Sequence, residues 1–281
     1  MITSGKQYLS LMDAVTIVIP FRAGQPLLCS NRLLNQKENI MSKPLVVITG
    51  ASAGIGAAIA RAFSAAGHPL LLLLARRVEP MQALGLPDTL CIGVDVTDTA
   101  AMKAAIQQAE AQFGPVGCLV NNAGVMLLGQ ADVQDPAEWQ QMLNINVMGV
   151  LNGVHAVLAG MKARRSGTII NISSIAGRKT FPNHAAYCAT KFAVHALTEN
   201  IREEVADVGV RMVTIAPGAV ETELLSHTTD ESIKASYHDW KDQMGGVIAP
   251  EVIAEAVLYA WSQPANVCVR EIVLAATRQQ P

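Results

Sequence analysis

Leu45-Val-Val-Ile-Thr-Gly-Ala-Ser-Ala-Gly-Ile-Gly56 is an apolar run of strand length, a glycine-rich turn, and the opening of a helical pattern that runs from Ile55 to Ala66. Glycines let a backbone turn tightly and approach a pyrophosphate, whose charge then rests on the helix N-terminus. The spacing is not GxGxxG, and it lacks the GK[ST] of a P-loop. The turn reads as dinucleotide-binding, of a variant kind.

Downstream, the same alternation repeats. Buried strands are predicted at Leu70–Leu74, Leu90–Val94, Cys118–Asn121, Thr168–Ile172, Arg211–Ala216 and Glu271–Leu274. Helices are predicted from Thr99 to Phe113, from Ala185 to about residue 207, and from Pro250 to Ser262. A long amphipathic helix starts at Pro136, with Trp139, Met142, Leu143, Val147, Val150, Val154, Val157 and Met161 at spacings of three and four. Short apolar strands separated by helices imply a parallel sheet covered on both faces. The fold class is α/β, a doubly wound parallel sheet of Rossmann-like type in a single domain, residues 43–281. Residues 1–42 differ in character and read as an N-terminal extension outside the fold, expected to be mobile.

Composition narrows the function classes. A content of 51% hydrophobic residues supports a sizeable core, and a net charge of −2 offers no nucleic-acid or anionic-membrane partner. The apolar stretch Ala14–Phe21 is too short to span a bilayer. Five scattered cysteines without a CxxC pair fit reduced thiols in a cytoplasmic protein, with no metal site expected.

The chemistry concentrates in residues 168–191, where a strand leads to Ser173-Ser174 and then to a helix carrying Tyr187 and Lys191. Residues four apart share a helix face, so the phenol and the ammonium can meet. A phenol titrates near ~10 and an acid/base working at neutral pH sits near ~7, a gap that a neighbouring cation helps to close. Taken alone, a Tyr–Lys pair also describes a core edge, and a Ser-Ser pair a helix cap. The pair gains meaning from the cofactor turn upstream.

The turn Thr49-Gly50-x-x-x-Gly54-Ile55-Gly56, the segment Asn121-Asn122-Ala123-Gly124, Ser174 thirteen positions before Tyr187-x-x-x-Lys191, and Pro217-Gly218 follow one another in order. Together they resemble the short-chain dehydrogenase/reductase family, over nearly the whole chain from Leu45 to Thr277. The resemblance implies Tyr187 as acid/base and Ser174 as its partner on the substrate oxygen. It implies Lys191 as the residue that lowers the phenol pKa and holds the nicotinamide ribose, and Asn146 as the amide that helps hold a water relay behind that lysine. It implies cofactor contacts from Gly50, Ser52, Gly54, Ile55, Gly56, Asn122, Ala123, Gly124, Pro217, Gly218, Val220 and Thr222. Asp95 and Val96 would meet the adenine.

Cofactor choice turns on the end of the second strand. Ala75-Arg76-Arg77 stands where an acid would accept ribose hydroxyls, so two guanidiniums favour a 2′-phosphate. NADP(H) is expected over NAD(H), although Ala53 departs from the basic residue some NADP-preferring members carry inside the turn. The implied reaction interconverts a small alcohol or hydroxy acid and its carbonyl compound. The ending Asn266–Thr277 resembles members that oxidise 3-hydroxy acids, including serine-like compounds. Residues 223–247 form a polar segment without clear periodicity, matching the family's mobile flap, and residues 126–129 and 178–184 complete the pocket. A homodimer or homotetramer through the two long helices is implied. A non-catalytic NADP(H)-sensing regulator or scaffold on the same fold is the alternative, for which a broken tetrad would be typical; here all four residues stand.

Overall fold

Seven strands are present in this computed structural model, which describes residues 44–68 and 71–279. They are β1 (Leu45–Thr49), β2 (Leu71–Ala75), β3 (Thr89–Gly93), β4 (Val116–Asn121), β5 (Gly167–Ile172), β6 (Val210–Pro217) and β7 (Glu271–Leu274). All neighbours pair in parallel, in the order β3-β2-β1-β4-β5-β6-β7. The order reverses between β1 and β4, and such a switch opens a crevice beyond the strand ends. The expected extension 1–42 and Leu70, the expected first residue of the second strand, lie outside the described residues.

Alternation along β1 shows why the sheet is buried twice. Val46 and Ile48 join a core with Ile59 and Phe63 of α1 (Gly54–Ala65) and Ile253 and Val257 of α8 (Pro250–Ser262). Leu45 and Val47 face the opposite core, with Met102 and Ile106 of α3 (Thr99–Phe113) and Val154, Val157 and Met161 of α5 (Gly149–Arg164). Burying one such aliphatic side chain contributes roughly 1.5–3 kcal/mol. Among the described residues, only 136–164 is long and apolar enough to cross a membrane, and its apolar face is instead packed on the sheet.

Three elements depart from the sequence reading. The single long helix from Pro136 is α4 (Pro136–Leu143), a π-helical segment (Asn144–Met148) and α5. Within that segment the Gly149 N–H reaches back to the Asn144 carbonyl, and the extra residue per turn leaves Asn146 buried. The polar segment 223–247 contains a 3₁₀ turn (Glu223–His227) and α7 (Glu231–Gln243). Asp230 caps α7 by accepting from the Ser232 and Ile233 N–H groups at 2.9 and 3.1 Å. A one-turn α2 (Glu79–Gln82) follows β2. The remaining helix, α6 (Ala185–Val205), carries Tyr187 and Lys191.

Candidate active site

Beyond the carboxyl ends of the strands lies a cavity of about 580 Å³. Gly50, Ser52, Gly54, Ile55, Arg76, Arg77, Asp95, Val96, Asn122, Ala123, Gly124, Ser174, Tyr187, Lys191, Pro217, Gly218, Val220 and Thr222 all line it. Of the residues singled out from sequence, Gly56 and Asn146 stand one layer behind.

At the β1 end the turn is shaped by contact with β4. Gly50 has a φ of +66°, and a Cβ there would lie 2.8 Å from the Ala123 Cα. A Cβ on Gly56 would fall 2.2 Å from the Gly50 carbonyl oxygen. Asn122 clamps the turn, its Nδ2 donating to the carbonyls of Thr49 at 3.0 Å and Gly50 at 3.1 Å. Thr49 Oγ1 accepts from the N–H groups of Asn122 and Ala123 at 3.0 and 3.1 Å. Ala53 precedes α1 without a side-chain cap, so the first-turn N–H groups receive no protein side chain at that cap. The turn therefore fits an anionic pyrophosphate.

Arg76 and Arg77 are exposed at the end of β2, and neither joins an ion pair among the described residues. Across from them Asp95 Oδ1 accepts from the Thr97 N–H and hydroxyl at 2.9 and 2.7 Å. Those bonds, with Arg76 a smaller influence, hold its carboxyl below the usual range. A guanidinium pair with no protein carboxylate attached is suited to a phosphate monoester.

The opposite end holds the reacting groups. Ser174 is the last extended residue before a 3₁₀ turn; its Oγ accepts from the Ala176 N–H at 3.1 Å and donates to the Pro217 carbonyl at 3.3 Å. Ser173 is structural, its Oγ donating to the Lys191 carbonyl at 3.2 Å. Lys191 Nζ donates to the Ile172 carbonyl at 3.1 Å and lies 5.7 Å from the Tyr187 ring centroid. Burial lowers the ammonium's pKa to about 8.

The expected downward pull on Tyr187 is not the direction found. Burial, then the neighbouring Tyr237, raise the phenol above its ordinary value, and a hydrogen bond with Ser174 opposes them. Desolvation favours the neutral phenol, and the ammonium 5.7 Å from its ring centroid is itself disfavoured by the same burial.

Asn146 is 1% exposed and fully engaged. Its Oδ1 accepts from Val125 N–H, and its Nδ2 donates to the Val125 carbonyl, both at 2.9 Å, with Thr190 Oγ1 at 3.2 Å. It pins the strip after Gly124 to the helix that carries Lys191.

Aromatic rings form part of the remaining wall. Tyr237 of α7 lies 6.4 Å from the His184 ring and 5.2 Å from the Trp240 ring, and His184 lies 6.2 Å from Tyr187. His184 is therefore packed rather than solvated, its Nδ1 donating to the Pro182 carbonyl at 2.6 Å. Burial keeps its pKa low. Met126, Leu128 and residues 181–184 line the wall as expected, whereas Arg178 turns away to pair with Glu271 at 3.3 Å. Thr228 fastens α7's entry to that wall, accepting from Leu128 N–H and donating to the Met126 carbonyl at 3.2 and 3.1 Å. Sequence reading named Thr49 only as the start of the turn and missed Tyr237 and Gln279, all at or beside the site. The signal for Tyr237 was present, since Ile233, Tyr237, Trp240 and Met244 recur at helical spacing after Asp230.

A parallel sheet switching order over a glycine turn, with a serine, a tyrosine and a lysine at the far end, defines a dinucleotide-dependent oxidoreductase site. The short chain dehydrogenase family profile matches residues 44–232, and the chain belongs to that family. It is 39% identical over 246 residues to an uncharacterized oxidoreductase of Staphylococcus saprophyticus, covering 86% of this chain and 99% of that protein. Among solved structures it resembles the closed form of a serine dehydrogenase complexed with NADP+, with a TM-score of 0.78 and 30% identity over 84% of this chain and 96% of that one. An alcohol dehydrogenase from Thermococcus sibiricus complexed with 5-hydroxy-NADP matches with a TM-score of 0.72 and 30% identity, covering 85% and 98%.

Proposed function

We propose that this oxidoreductase is NADP(H)-dependent and interconverts a carbonyl compound and its secondary or primary alcohol, with Tyr187 as acid/base. The observation that carries the reading is the cavity itself, which joins Gly50, Arg76 and Arg77 at one end to Ser174, Tyr187 and Lys191 at the other. The turn Gly50–Gly56 would hold the pyrophosphate, Asp95 and Val96 the adenine, the two arginines the 2′-phosphate, and Asn122–Gly124 with Pro217–Thr222 the nicotinamide half. Bound there, the dinucleotide supplies or takes up a hydride. Ser174 holds the substrate oxygen, and Tyr187 gives it a proton as the alkoxide forms. In the ligand-free site the phenol is protonated, as a donor to the carbonyl oxygen must be. Lys191 and Asn146 position the phenol's helix and the neighbouring strip.

The wall of Phe181, His184, Tyr237 and Trp240 favours a neutral carbonyl compound over a hydroxy acid. Lys241, the flap lysine that lines the cavity, is paired with Glu221 at 3.0 Å, and His184 is held neutral. Exposed Leu143 and Met148 on the Pro136–Arg164 helical run and Phe192 on α6 support self-association through these helices. The test is NADPH and NADH oxidation against paired neutral aldehydes, ketones and 3-oxo acids. Faster turnover with NADPH and neutral substrates is expected. Faster turnover with NADH would overturn the cofactor assignment, and preference for the acids would overturn the substrate class. Tight NADPH binding with no turnover of any carbonyl would instead identify a sensing regulator.

A further inference from the structure

Gln279 lies beyond β7, near the end of the described chain, and lines the same cavity. Its Oε1 accepts from the Ala219 N–H at 2.9 Å. The amide sits so close to the β6 loop that a Cβ on Gly218 would come within 2.3 Å of that oxygen. Because Oε1 must be the acceptor there, Nε2 is the donor end. Gln279 is 8% exposed, and its Nε2 is buried with no hydrogen-bond partner among the described residues. Upwards of about 90% of buried polar groups in folded chains are paired, so an orphaned donor on a cavity wall points to a ligand.

The position tells which end of the ligand. Gly218 and Ala219 directly follow Pro217, whose carbonyl takes the Ser174 hydroxyl at 3.3 Å. Arg76 and Arg77 stand at the end of β2, four sheet positions away from β6, past β1, β4 and β5. The donor thus belongs to the reacting corner. We propose that Gln279 is a ligand-positioning residue whose Nε2–H donates to an oxygen acceptor of the bound molecules at the reacting corner. That acceptor is a carboxamide oxygen of the dinucleotide or a carbonyl oxygen of the substrate. Its Oε1 meanwhile holds the Gly218–Ala219 loop in place, so one side chain couples loop and ligand. The inference rests on reading the cavity as a dinucleotide and carbonyl site.

Gln279→Glu separates the two ends, since a carboxylate still accepts from Ala219 N–H but cannot donate. Gln279→Met keeps the volume and removes both ends. For each protein the ligand-free Tm, the NADPH Kd by fluorescence, and kcat and KM for the best substrate at saturating NADPH are measured. The expected result is one affinity weakened about tenfold or more in both variants, beyond what any change in ligand-free Tm accounts for. A raised NADPH Kd identifies the cofactor oxygen. A raised KM with unchanged NADPH Kd identifies the substrate oxygen. Unchanged affinities in both variants, or losses that only track a lowered ligand-free Tm, would overturn the proposal. Wild-type protein that binds no NADPH would sink the functional reading as well, a result distinct from normal binding in wild type and variants alike.

Discussion

Replacing Asn146 with alanine should unfasten the site from behind. The change deletes three hydrogen bonds, two to the backbone of Val125 and one to Thr190. Val125 is 5% exposed, so its N–H and carbonyl would be left without their partner in a dry environment. Each orphaned group costs about 1–3 kcal/mol, and water entering the space left by the amide offsets part of it, so a net loss of about 2–4 kcal/mol is expected. For a domain of this size that corresponds to a Tm lowered by roughly 6–12 °C. The assay is urea unfolding of ligand-free protein followed by far-UV circular dichroism, alongside NADPH affinity. The strip after Gly124 should loosen, so affinity should fall together with stability. A stability within about 0.5 kcal/mol of wild type would refute the reasoning, because surface substitutions alone fall in that range.

Three further outcomes follow from the geometry. Gly56→Ala places a methyl 2.2 Å from the Gly50 carbonyl, so dinucleotide affinity measured by titration should fall at least about tenfold; wild-type affinity would mean the turn is not the pyrophosphate site. Changing Arg76 and Arg77 together to alanine should weaken NADPH about 10- to 100-fold while leaving NADH within about twofold, and equal losses for both nucleotides would contradict the 2′-phosphate assignment. The third concerns pH. The folded state holds Lys191 near 8, below the 10.5 of an unperturbed lysine, so above about pH 8 the unfolded chain binds more protons and stability gains from this residue as pH rises. Ligand-free wild type should therefore gain Tm relative to Lys191→Met between pH 8 and 10, and a parallel pair of profiles would show that the ammonium is not desolvated.

Much of this was legible because burial and turning leave strong marks on sequence. Leu45–Thr49 could only be a strand buried on both faces, and the glycines after it announced the turn whose crowding the structure displays. Ser174, Tyr187 and Lys191 were readable because helix spacing and a preceding strand end bring them to one wall. Other features depended on distant partners. Nothing near Asn146 announces that Val125 will bond both ends of its amide, or that the helix opens into a π turn to allow it. Tyr237 was hidden by the polar character of residues 223–247, although Asp230 and the spacing of Ile233, Tyr237 and Trp240 carried a helix signal. Gln279 touches Ala219, sixty residues earlier, through an approach set by the β6–β7 pairing. The phenol's raised pKa was illegible for a related reason: the sequence displays the lysine beside it but not the depth to which both are buried.

If Tyr187 carries the proton while the glycine turn and arginines carry the dinucleotide, Tyr187→Phe separates the two roles. Turnover of the best carbonyl substrate and NADPH affinity would be measured on the same preparation. Loss of the proton donor predicts turnover reduced by at least about 100-fold, with NADPH Kd changed less than about threefold. Retained turnover with retained affinity would contradict the claim, because the phenol would then be only part of the wall.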